Sequence, residues 1–187
     1  MGEEVKNKVP MELTQEEIKM LEKLKDKFLK LNNLLKNSEY NIYNDLYEQY
    51  TYLNEFKKVL GNLNNDLSYI ACLMTKQYLL KKHNFSHDLD VSIKKQGTSG
   101  LDLDETTLEN ERCIAEIKTI FPYQNKNNFG ANQKKAFRND FKKLKENDAK
   151  YKYLFVVEEK SFNILKKKYI SELTGITTVL LPSGQLF

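Results

Sequence analysis

Asp102, Glu116 and Lys118 have the residue types and the spacing from which metal-assisted phosphate chemistry can be built. They lie in GTSGLDLDETTLENERCIAEIKTIFP, between Gly97 and Pro122. This stretch reads as two short strands joined by a polar turn. Side chains alternate along extended chain, so Glu116 and Lys118 leave one face of a strand expected at 113–120. Asp102 and Asp104 share a face of the strand expected to begin at residue 101. If the two strands pair as an antiparallel hairpin, carboxylates and one ammonium meet at one spot. Carboxylates held together repel unless a cation lies between them, and hard oxygen ligands with room for water suit Mg2+. A lysine beside such a metal orients or deprotonates a water for attack on phosphorus.

The triplet [DE]-x-K also occurs at Glu4–Lys6, Glu17–Lys19, Glu55–Lys57, Asp140–Lys142, Asp148–Lys150 and Glu158–Lys160. Most of these fall in helical patterns or at the N-terminus, where they read as solvated charge pairs. Glu158–Lys160 ends the apolar run YLFVV but has no preceding carboxylate-bearing strand joined to it by a short turn. Context therefore singles out Glu116–Lys118.

The order GLDL, turn, CIAEIKT, Pro122 and then a basic helix with Gln133 resembles the PD-(D/E)xK nuclease superfamily, especially its type II restriction endonucleases. The resemblance covers roughly residues 85–181. It implies an α/β sandwich with a central mixed sheet, here preceded by an N-terminal helical region. Matched residue by residue, it makes Asp102 the metal-binding aspartate, Glu116 the second carboxylate ligand and Lys118 the catalytic lysine. Asp104 is the alternative aspartate, and Gln133 is placed to meet metal-bound water or phosphate. No proline precedes Asp102, which departs from the motif. The implied activity is Mg2+-dependent hydrolysis of double-stranded DNA by a type II restriction enzyme. A palindromic target would make it a twofold homodimer, and a separate DNA methyltransferase would protect the host genome. A repair or recombination nuclease shares the same chemistry. The contrasting reading is a non-catalytic helical interaction protein.

The elements that must position these residues follow from periodicity. A helix at about 13–35, with Thr14 and Glu17 as a capping box, carries Leu21, Leu24, Phe28, Leu31 and Leu35 in heptad spacing. A second helix at about 39–60 repeats that spacing through Leu46, Tyr50, Leu53 and Leu60. The pair closes as a hairpin over residues 1–62 or, alternatively, forms a seam between subunits. Residues 63–187 make the nuclease-like core. It starts with a helix at about 66–83, whose end leads to His83 and His87, expected to be solvated. A strand is expected at 90–96, followed by the two strands of the candidate site. A helix at 131–147 turns Ala136, Phe137, Phe141 and Leu144 inwards. Then come an interior strand at 151–157, a helix at 160–173 and a strand at 177–181.

Among the chain's 187 residues, the net charge of +4 is unevenly spread. Nine basic residues between Gln124 and Lys152 face three acidic ones, directly after the candidate site. Lys126, Lys134, Lys135 and Arg138 are the candidates for gripping a DNA backbone. Two cysteines, Cys72 and Cys113, are too few for a disulfide framework and suit a reducing, cytoplasmic setting. No apolar run is long enough to span a membrane, and the N-terminus does not read as a secretory signal.

Overall fold

A computed structural model describes residues 12–85, 87–91, 100–123 and 128–187. Its centre is a mixed five-stranded sheet in the order β1 (Leu103–Thr106), β2 (Arg112–Lys118), β3 (Tyr151–Val156), β4 (Thr177–Leu180) and β5 (Gln185–Leu186). The outer pairs β1/β2 and β4/β5 are antiparallel, whereas β2/β3 and β3/β4 are parallel. Parallel neighbours need long crossovers. Here α4 (Ala131–Glu146) connects β2 to β3, and α5 (Glu159–Lys168) connects β3 to β4.

Alternation along the two interior strands divides the core into two layers. Ile114, Leu154 and Val156 point to the α4 and α5 side and pack with Phe137, Phe141, Leu144, Phe162 and Leu165. Cys113, Ala115, Tyr153 and Phe155 point the other way, towards Leu79, Met74 and Tyr78 of α3 (Leu63–Leu80). Burial on both faces explains why YLFVV is nearly continuous in apolar residues. The molecule is thus α/β, with helices on both sides of a mixed sheet and helices ahead of it. No described helix is long and apolar enough to cross a membrane.

The helical first third consists of α1 (Gln15–Asn37) and α2 (Leu46–Leu60), which pack on each other. The capping box at Thr14 and Glu17 is formed in both directions, at 2.9 and 3.2 Å. α1 is tied to α3 by an ion pair between Lys27 and Asp66. Within the heptad pattern, Leu21, Leu24 and Leu31 are half-buried, whereas Phe28 and Leu35 stay exposed.

Several boundaries differ from expectation for local reasons. α2 starts at Leu46 rather than near residue 39. Asp45 accepts from the Glu48 N–H at 2.9 Å as its cap, while Asn41 takes the Tyr43 N–H at 2.9 Å in the preceding turn. α3 begins earlier, at Leu63. α5 stops at Lys168, beyond which turns bury Tyr169 and Leu173. The two-residue strand β5 carries too little pattern to be anticipated. Apart from residues 90 and 91, the strand expected at 90–96 lies outside the described residues. His83 is half-buried rather than fully solvated. It lies 4.2 Å from the Tyr151 ring, its Nε2 is 2.8 Å from the Tyr153 hydroxyl, and burial lowers its pKa. His87 is exposed and lies 2.8 Å from Glu105.

Candidate active site

β2 places Glu116 and Lys118 on the sheet face beneath α4, in step with Ile114. The β1/β2 register pairs Leu103 with Ala115, so one further step sets Asp102 opposite Glu116. Asp102 stands just before β1, and its Oδ2 accepts the Ile117 backbone N–H at 2.8 Å. The structure therefore brings Asp102, Glu116 and Lys118 to one end of the hairpin. Gly100, two residues earlier, has φ 112°, a conformation open to glycine and costly for other residues.

Two residues of α4 complete the cluster. Asp140 and Lys143, one helical turn apart, face β2 beside Phe137, Phe141 and Leu144. Lys143 Nζ donates to Glu116 Oε1 at 2.9 Å and to the Gly100 carbonyl at 2.8 Å. Lys118 Nζ lies 3.0 Å from Asp140 Oδ2, an ion pair without hydrogen-bond alignment at that oxygen. Asp140 signalled itself only weakly. It falls in the apolar stripe 137, 140, 141, 144, where a surface residue is out of place.

The electrostatics follow from burial. Glu116 is 1% exposed. Burial, aided by the Asp102 charge and by Asp140, pushes its carboxyl up to about 8 against the opposing pull of Lys143 and Lys118. Asp140 is also raised, chiefly by burial, although Lys118 opposes the shift. Burial acts to lower Lys143, but its hydrogen bond to Glu116 and the surrounding carboxylates more than compensate and raise it. Like charges crowded in a dry place favour either a proton or a cation between them.

The other candidates are placed differently. Asp104 is held by Arg112, with 2.8 Å to Nε and 2.7 Å to Nη2, two residues along the strand from Asp102. Gln133 accepts the Gly130 N–H at 3.0 Å and donates to the Phe121 carbonyl at 2.8 Å, which fastens the start of α4 to the chain after β2. Its amide is engaged with backbone rather than with the carboxylates. Lys134, Lys135 and Arg138 lie on α4, and Arg138 pairs with Glu172 at 3.2 Å. Lys126 lies outside the described residues.

Among the described residues, no group of three or more His, Cys, Asp or Glu side chains is arranged to hold a metal ion. A site of two carboxylates completed by water needs no such cage. Asp102 and Glu116, with the Gly100 carbonyl beside them, are the oxygens that could hold a hard cation. Compared with family models, curated proteins and solved structures, the chain matches none.

Proposed function

We propose that this chain is a Mg2+-dependent endodeoxyribonuclease, a type II restriction enzyme of the PD-(D/E)xK kind that cuts a short duplex site. The observation that carries this reading is the opposition of Asp102 and a buried, charge-crowded Glu116, with Lys118 two residues further along the same face. A solvated surface pair would not be crowded in this way. A mixed sheet with helices on both sides is compatible with this reading at the level of fold class.

The residues fit a hard divalent cation. Two carboxylates and a carbonyl form an oxygen donor set, and the Lys143 ammonium already bridges Glu116 and Gly100. Mg2+ bound there would supply Lewis-acid stabilisation of charge on the scissile phosphate. Asp102 and Glu116 would hold it, and Lys118 would orient the attacking water. Asp140 would keep the Lys118 ammonium in position. Lys134 and Lys135 would contact phosphates, which fix the position of the duplex without reading its bases.

The test is incubation of purified protein with unmodified plasmid and phage DNA in Mg2+ or EDTA. A discrete fragment pattern that requires Mg2+ is expected. No cleavage of duplex, branched or single-stranded DNA would overturn the nuclease reading. Cleavage confined to branched or damaged DNA would replace the restriction role with repair.

A further inference from the structure

Among the described residues, the most exposed apolar surface lies far along the chain from the carboxylate cluster, on α2 and the turn before it. No residue of α2 is buried. Tyr43 is 89% exposed, Leu46 82% and Tyr47 77%, and Ile42, Tyr50 and Leu53 are each more than half exposed. Leu46, Tyr50 and Leu53 follow four- and three-residue steps that Lys57 continues, so they form one stripe along the helix. The opposite flank, including Tyr52 and Phe56, is half-buried. The turn is held in place, with the Tyr40 ring 5.7 Å from Tyr52 and its hydroxyl bonded to Gln49 Oε1 at 2.7 Å.

Six such side chains present on the order of 800 Å2, well beyond a scattered surface residue and close to one partner's share of a standard interface. Charge selects the occupant. The acidic groups Asp45 and Glu48 are at the start of α2 and Lys57 is in its last turn, where Lys58 is paired with Glu55 at 2.6 Å. A second α2 laid antiparallel would set each acidic end against a basic end, twice, by one twofold axis. A parallel arrangement would set like charges together.

We propose that the exposed stripe of α2 is a homodimer interface, in which two copies pair antiparallel about a twofold axis near Tyr50 and Leu53. Tyr50 packs on the partner's Leu53, and Lys57 reaches the partner's acidic first turn. The exposed tyrosines supply area at little cost in side-chain entropy. This interface does not depend on the nuclease reading, and its test needs neither DNA nor metal.

The experiment is sedimentation equilibrium of the full chain from about 1 to 100 μM, with circular dichroism as a check on folding. The wild type is expected to be dimeric over most of this range. Leu53→Glu and, separately, Tyr50→Glu should each weaken association about 100-fold or more while leaving the fold intact, because both side chains are exposed in the monomer. Ile170→Glu, in the exposed turn after α5, should leave association unchanged. Lys57→Glu should weaken the dimer about three- to tenfold, with restoration on adding Glu48→Lys. A monomer throughout the range would overturn the proposal. So would a dimer indifferent to both Leu53→Glu and Tyr50→Glu, or a double charge reversal that fails to restore association.

Discussion

Among the described residues, two glutamates are buried against lysines, and their surroundings are opposite. Glu17, on α1, is completely buried, as is its partner Lys76 on α3 at 3% exposure. Its Oε2 accepts from Lys76 Nζ at 2.7 Å and from Thr14 N–H at 2.9 Å, while Oε1 accepts from Val91 N–H at 3.2 Å. Donors meet both oxygens, and the pair joins the first helix to the third and to the chain ahead of the sheet. Glu116 has Lys143 on Oε1, but Asp102 and Asp140 press on it with like charge. A carboxylate surrounded by donors is finished structure. One crowded by other carboxylates is suited to receiving a cation.

The largest effect that tests this contrast is on stability. Glu17→Ala should cost about 3–5 kcal/mol in urea unfolding, because it strands a buried ammonium and removes a capping box. Glu116→Gln should not behave this way. Near pH 8 it should be neutral or stabilising, since it relieves repulsion while leaving an acceptor for Lys143. If both substitutions proved equally damaging, the two sites would not differ in kind.

A pH series sharpens the contrast. Because the folded-state pKa of Glu116 lies above its unfolded value, the folded state binds the extra proton between about pH 4.5 and 8. Wild-type stability should therefore fall as pH rises through that window, and Glu116→Gln should flatten this component. An identical slope in both proteins would contradict the crowding of Glu116. Smaller again is Gly100→Ala, expected to cost about 1–3 kcal/mol through backbone strain at φ 112°. It should also loosen the Lys143 contact, visible as weaker Mg2+-induced stabilisation in thermal unfolding. Asp104→Ala should cost less than about 1 kcal/mol, since its pairing with Arg112 is exposed, and should leave any Mg2+ response unchanged.

Much of this organisation was legible because it rests on period and turn chemistry. The two-residue alternation of CIAEIK set Glu116 and Lys118 on one face, and GLDL before a short turn set Asp102 opposite. The capping box at Thr14 and the apolar strand YLFVV were equally local. The buried partners were not. Lys76 and Glu17 are 59 residues apart, and Lys143 and Glu116 are 27 apart, so only tertiary packing joins them. Asp140 was visible as part of a common charge triplet, and the apolar positions on either side were the missed signal. Gln133 has a structural use that chain order alone does not disclose, because its partner is the Phe121 carbonyl 12 residues away. His83 likewise meets Tyr151 and Tyr153 across the sheet, beyond any local pattern.

In the proposed nuclease, Asp102, Glu116 and Lys118 act together on DNA with Mg2+. The most direct measurement compares cleavage and DNA binding by wild type, Glu116→Ala and Lys118→Ala, each purified and shown to be folded. Cleavage is expected to fall about 1,000-fold or more in both variants, with DNA binding largely retained. Mg2+-dependent cleavage persisting in both folded variants would contradict it.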